Sequence, residues 1–162
     1  MNTEIEYRPP RKEDGARVYQ LIASCPPLDT NSMYCNLLQC SHFSNTSVTA
    51  WDNRSLVGFI SGYPLPERSD TLFVWQVAVS EQVRGKGVGS GMLKAILSRP
   101  DNPGFSFIET TITADNQASW SLFESLAKKL KAELNHSVLF DEQQHFRGQH
   151  DSEYLVRIGP FN

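Results

Sequence analysis

The chain of 162 residues carries 15 Lys and Arg against 18 Asp and Glu, a formal net charge of -3, so it lacks the basic footprint of a nucleic-acid partner. Its hydrophobic content of 40% and charged content of 20% are those of a globular chain, and the length predicts one domain, 1–162, with a single core. Met1 to Tyr7 has no apolar signal-peptide core, and no stretch approaches the roughly 20 apolar residues of a membrane span. A cytoplasmic location is expected.

Glu4 to Arg8 alternates Ile5 and Tyr7 with charges, which predicts a first strand halted by Pro9 and Pro10. Arg11 to Ser24 places Val18, Leu21 and Ile22 on one face of a short helix, ended by Cys25-Pro26-Pro27. After a constrained loop at Leu28, Asp29 and Thr30, Asn31 or Ser32 is placed to cap a second helix, with Met33, Leu37 and Leu38 directed inward. Cys25, Cys35 and Cys40 form an odd set without C-x-x-C spacing. Buried free thiols are therefore expected rather than disulfides, and no metal site, although His42 lies near two of them. Two sequons, Asn45-Thr46-Ser47 and Asn53-Arg54-Ser55, read as turn chemistry.

Thr46 to Trp51 and Leu56 to Tyr63 read as strands joined by a hairpin turn at Asp52-Asn53-Arg54. Pro64, Pro66, Glu67, Arg68 and Asp70 predict an exposed connection. Thr71 to Val79 is a nearly continuous β-rich run, as expected of a strand covered on both faces. It enters the turn Arg84-Gly85-Lys86-Gly87-Val88-Gly89, followed by a helix with Val88, Met92, Leu93, Ile96 and Leu97 on one side. Phe105 to Thr113 is strand again, which completes a βαβ unit with parallel strands. Asp115 or Asn116 caps a helix carrying Phe123, Leu126, Ala127 and Leu130. Ala132 to Phe140 and Glu153 to Ile158 close the chain across a polar loop.

The glycine turn is where chemistry is expected. Glycines let the backbone adopt conformations closed to other residues and approach a ligand. Free first-turn amides and the positive helix end then make an anion site, beside the cations of Arg84 and Lys86. A P-loop requires glycine where Ser80 stands and Ser or Thr at Gly87, so it fails twice. A dinucleotide fingerprint meets Ser90 or Met92 where its last glycine belongs, and only Glu109, roughly 20 residues on, favours it. Arg84, Gly87 and Gly89 fit R-x-x-G-x-G after a strand, and here the chain resembles the GCN5-related N-acetyltransferase (GNAT) superfamily.

The element order is similar to that superfamily. The resemblance implies an α/β GNAT acyl-CoA N-acyltransferase fold, with a mixed, mostly antiparallel sheet, a central splayed parallel strand pair and about four flanking helices. It also implies acetyl-CoA as cosubstrate. Its pyrophosphate would lie on Arg84, Gly85, Lys86, Gly87, Val88 and Gly89, its pantetheine along main-chain groups of Val77, Ala78 and Val79, and its thiol end near Asn116 and Phe123. Many superfamily members carry a thiolate-protonating tyrosine where Phe123 stands. A phenyl ring cannot donate a proton, and core packing is the simpler reading of this residue.

Four blocks, Pro26-Pro27-Leu28-Asp29-Thr30-Asn31-Ser32-x-Tyr34, Leu72 to Val79, Glu109-Thr110-Thr111 and His150-Asp151-Ser152-Glu153, resemble the L-2,4-diaminobutyrate acetyltransferases of ectoine biosynthesis. The resemblance implies acetyl transfer to the 4-amino group of a diamino acid and a homodimer. Asp29, Trp75, His150 and Glu153 are the candidates for binding the cationic substrate. Tyr34 is a candidate both for substrate binding and for proton donation, and Glu109 or Glu153 for proton transfer through water. Trp75 can wall an ammonium or pack in the core, and Glu109 can relay a proton or be a paired structural carboxylate. The alternatives are transfer to another small diamine or amino acid, and a non-catalytic acyl-CoA-binding module.

Overall fold

The computed structural model describes residues 4–26, 28–102 and 104–161. Met1 to Thr3 of the polar N-terminus and Pro27 of the proline pair lie outside the described residues. The elements run β1 (Glu6–Arg8), α1 (Gly15–Ala23), α2 (Met33–Ser41), β2 (Val48–Asp52), β3 (Ser55–Leu65), β4 (Arg68–Val79), α3 (Val88–Leu97), β5 (Phe107–Thr113), α4 (Gln117–Leu130), β6 (Leu134–Phe140) and β7 (Glu153–Ile158). The seven strands follow the order β1-β2-β3-β4-β5-β7-β6. With β4 and β5 parallel and the other registered pairs antiparallel, this is the expected mixed sheet with four helices.

The residues group into two compact units, 1–63 with 75–103, and 64–74 with 104–162. In the first unit, β1 pairs with β2 and β2 with β3. The β2–β3 turn is tight because Asn53 takes a left-handed φ of 57° and Asp52 pairs with Ser55. Val18, Leu21 and Ile22 of α1 pack with Cys25, Cys40, Phe59 and Ala78, and Leu28 closes over them. Burying a side chain the size of Phe59 or Ile22 contributes about 1.5–3 kcal/mol. Val88, Met92, Leu93 and Ile96 give α3 its buried face.

In the second unit, Thr71 to Val74 of β4 pair with Phe107 to Thr110 of β5, and β4 continues beyond that ladder to Val79. The Thr110 hydroxyl donates to the Val74 carbonyl at 2.9 Å, at the last registered pair. Antiparallel ladders join β5 to β7 and β7 to β6. Asn116 caps α4, its side-chain oxygen accepting from the Ser119 amide at 3.2 Å, and Phe123, Leu126 and Ala127 are its buried face.

Three expectations need correction. The stretch from Pro64 to Asp70 is not a free connection: β3 runs on to Leu65 and β4 starts at Arg68, so only Pro66 and Glu67 turn the chain. On α2 the buried side chains are Asn36, Gln39 and Cys40, while Met33 and Leu37 are exposed. The polar pair is satisfied at one end only: the Asn36 amide donates to the Gln39 carbonyl oxygen at 3.0 Å, while Asn36 Oδ1 and Gln39 Nε2 are buried without a hydrogen-bond partner among the described residues. Finally, β4 is not covered along both faces, since Trp75 is 43% exposed.

Candidate active site

The glycine turn starts from β4 through a short 3-10 turn, Glu81–Val83, in which the Gln82 amide donates to the Ser80 hydroxyl at 3.4 Å and the Val83 amide to the Ser80 carbonyl at 3.0 Å. Gly85 and Gly87 adopt φ of +79° and +78°, a region that costs a residue with a Cβ about 1–2 kcal/mol. Nothing lies within 4 Å of a Cβ built at either position, so the demand for glycine is conformational and leaves open space over the turn. Gly87 is the N-cap of α3 and supplies no side-chain acceptor. The first amides of that helix are therefore left for an external acceptor, at the positive end of its dipole. Arg84 and Lys86 are exposed beside them. Arg84 is partly anchored, its Nε donating to the Val79 carbonyl at 3.3 Å. The Cys25 thiol approaches the same carbonyl at 3.5 Å. Ala78 is buried in the core and Val77 and Val79 are half-buried.

The loop before α2 belongs to the same unit. Asp29 and Thr30 are exposed, and Gln76 of β4 reaches this loop twice: Nε2 donates to the Asp29 carbonyl at 2.8 Å and Oε1 accepts from Asn31 Nδ2 at 3.1 Å. The Ser32 hydroxyl then caps α2 by accepting the Cys35 amide at 3.0 Å. Tyr34 follows in the first turn, 69% exposed. Trp75, adjacent to Gln76 in sequence, meets Tyr63 edge-on at 6.1 Å and is not a core residue. Gln76 is a loop-binding side chain that the sequence reading did not single out. The signal for it was its place in the β4 block between Trp75 and Val77.

The second unit carries the remaining candidates. Glu109 is 3% exposed and accepts from Arg68 Nη2 at 2.9 and 2.7 Å, with Arg157 Nη1 on the same carboxylate. Arg157 stands directly opposite Glu109 in the β5–β7 ladder, so this is a cross-strand ion pair with a second arginine added. Of the two readings of Glu109, the geometry favours the paired structural carboxylate. Glu153 opens β7, opposite Thr113 of β5 and Phe140 of β6. His150 stacks on Phe146 at 4.6 Å, and its Nδ1 lies 2.6 Å from the Asp151 carbonyl. A carbonyl only accepts, so Nδ1 is the donor. Phe123 is 1% exposed, as core packing requires.

Cys25 and Cys40 are buried and Cys35 is half-buried, all as free thiols. Burial, reinforced by Asp14, pushes the Cys40 thiol up to about 12, which keeps it protonated and inert as a nucleophile. Among the described residues, no group of three His, Cys, Asp or Glu could hold a metal ion, and no helix is long and apolar enough to cross a membrane.

Residues 15–127 match the family model described as "Acetyltransferase (GNAT) family". The chain belongs to this family. The GNAT chain is 60% identical over 152 residues to the L-2,4-diaminobutyric acid acetyltransferase of Methylotuvimicrobium alcaliphilum, covering 94% of this chain and 88% of that protein. To the enzyme of the same name from Vibrio cholerae it is 49% identical over 152 residues, again covering 94% and 88%. Among solved structures it superposes on the diaminobutyrate acetyltransferase of Paenibacillus lautus with a TM-score of 0.94 at 38% identity, covering 99% of this chain and 98% of that one. That protein was solved in complex with its substrate L-2,4-diaminobutyric acid and coenzyme A.

Proposed function

We propose that this GNAT protein transfers the acetyl group of acetyl-CoA to the 4-amino group of L-2,4-diaminobutyrate, giving N4-acetyl-L-2,4-diaminobutyrate for ectoine biosynthesis. The observation that carries this reading is its near-full-length likeness to the Paenibacillus lautus enzyme, whose structure holds both diaminobutyric acid and coenzyme A. The turn from Arg84 to Gly89 supports the donor half, because its left-handed glycines and uncapped helix start suit a pyrophosphate. Main-chain groups of Val77 to Val79 take the pantetheine in this reading, and Asn116 lies near the thiol end. Phe123 is assigned to core packing on α4.

The acceptor amine has an intrinsic pKa near that of lysine, ~10, and attacks only when neutral. The proton must therefore leave before the N–C bond forms. The nitrogen of the resulting tetrahedral centre gives up its second proton, the centre collapses to the amide by breaking the C–S bond, and the departing thiolate takes up a proton. A carboxylate in direct contact with the 4-ammonium would hold that proton on. Asp29 is accordingly assigned to the 2-ammonium, with Trp75 beside the cation and His150 at the polar rim. Glu109 has its carboxylate oxygens committed to Arg68 and Arg157. Glu153 acting through water is the better choice, and the Tyr34 hydroxyl is the candidate donor to the thiolate.

The reaction is placed in the cytoplasm, where cysteines such as these remain reduced. A homodimer is the proposed assembly, supported by the apolar Val138, Leu139 and Phe140 exposed on the terminal strand β6. Sedimentation at about twice the 18.3 kDa chain mass is expected.

The deciding experiment is thiol release from acetyl-CoA with L-2,4-diaminobutyrate, followed by locating the acetyl group in the product. Acetylation at the 4-amino group is expected, with kcat/KM rising with pH as the neutral amine fraction grows. Acetylation at the 2-amino group would overturn the placement of Asp29. A higher kcat/KM with putrescine, lysine or ornithine would replace the acceptor, and no transfer to any amine would leave an acyl-CoA-binding module.

A further inference from the structure

One side chain of β4, Gln76, fastens the loop carrying Asp29 at two points. Gln76 spends its carbonyl oxygen on Asn31 Nδ2 and one amide proton on the Asp29 carbonyl. These partners flank Thr30, so the carboxamide spans the exposed apex of the loop. Immediately after it, Ser32 caps α2, whose first turn carries Tyr34. The same loop is closed at its start, where the Leu28 amide donates to the Cys25 carbonyl at 3.0 Å. Between these two anchors the backbone of the exposed Asp29 is held by Gln76 through its carbonyl.

We propose that Gln76 is a positioning residue for the acceptor amine: its carboxamide holds the Asp29–Asn31 segment and thereby sets acceptor affinity and selectivity. The proposal rests on the assignment of Asp29 to the substrate ammonium. A carboxylate discriminates between diamines of different length only if its distance from the reacting thioester is held constant, because a mobile loop follows a longer substrate as readily as a shorter one. The amide is suited to the task because it donates and accepts at once. A carboxylate in its place keeps only the bond to Asn31 and faces the Asp29 carbonyl with a second acceptor.

The test combines two readouts on the full chain. Gln76→Leu removes both bonds with little change in size, Gln76→Glu keeps one, and Asn31→Ala removes one. In the free protein, amide hydrogen exchange across residues 29–32 is expected to accelerate at least about tenfold in Gln76→Leu. In steady-state kinetics, the same variant is expected to raise the acceptor KM about tenfold while the acetyl-CoA KM stays within twofold, with Gln76→Glu and Asn31→Ala between it and wild type. Its preference for L-2,4-diaminobutyrate over ornithine should fall. Unchanged exchange refutes the clamp, and faster exchange with unchanged acceptor KM and preference refutes the positioning role. A wild-type protein that prefers another amine defeats the diaminobutyrate reading alone, and the KM split is then read with that amine. One that acetylates no amine defeats both.

Discussion

Glu109 shows how a residue's neighbours decide between two chemistries that its type leaves open. As a carboxylate on the strand parallel to β4 it suits a proton relay, but its oxygens are taken by Arg68 and Arg157. The Arg157 half was legible once β5 and β7 were paired, since the two residues are direct cross-strand partners. Arg68 was not, because it was assigned to a connection that proves to be the start of β4. Removing the carboxylate leaves two guanidinium groups facing a neutral amide. Their side chains are 49% and 32% exposed, so water offsets part of the loss. Glu109→Gln should therefore cost only about 1–3 kcal/mol, below the range for a fully buried pair. Thermal denaturation with parallel kinetics tests this: a lowered Tm is expected, with kcat within a few-fold of wild type. A loss of roughly 100-fold in a folded variant would instead be the signature of a general base.

At the scale of elements, the most legible feature was the glycine turn and the least legible was α2. The turn was readable because its requirement is written in residue identity: Gly85 and Gly87 both take the left-handed conformation that glycine permits without strain. The cap of α2 was readable for a similar reason, as Ser32 has the chemistry of an N-cap. Its buried face was not, because the apolar pattern turned Met33 and Leu37 inward while Asn36 and Gln39 occupy the interior, sharing one hydrogen bond and each leaving one buried polar atom without a partner among the described residues. A local pairing between two polar side chains leaves no mark in hydrophobic periodicity. The turn also yields a prediction that separates strain from contact. A Cβ at Gly87 meets nothing within 4 Å, so the cost to folding is the backbone term of about 1–2 kcal/mol. The side chain enters the space assigned to pyrophosphate, so the acetyl-CoA KM should rise about tenfold or more in Gly87→Val, the equivalent of ~1.4 kcal/mol. Gly87→Asn, which tolerates a left-handed φ better, should recover stability without recovering the KM. If Gly87→Asn restores both, the turn acts through its conformation alone.

For the whole molecule, length and composition predicted a single domain, whereas the grouping of residues into two compact units was not readable from any composition shift. The reason is that the units are not sequence segments. The chain leaves the first at Tyr63, returns at Trp75 and leaves again after residue 103, so the crossing at 74 and 75 falls inside β4. Val74 pairs with Thr110 of β5 in the second unit, and Ala78 packs in the core of the first. β4 thus gives residues 68–74 to one unit and 75–79 to the other. Single-transition unfolding is therefore expected, as for most domains of this size. The three tryptophans allow a direct measurement: Trp51 and Trp75 report on the first unit and Trp120 on the second. A variant keeping only Trp51, which is 4% exposed, and one keeping only Trp120 should each give a fluorescence midpoint in urea coincident with that variant's own far-UV circular dichroism. Separated midpoints in either variant would show that the two units unfold independently and that β4 does not bind them into one cooperative structure.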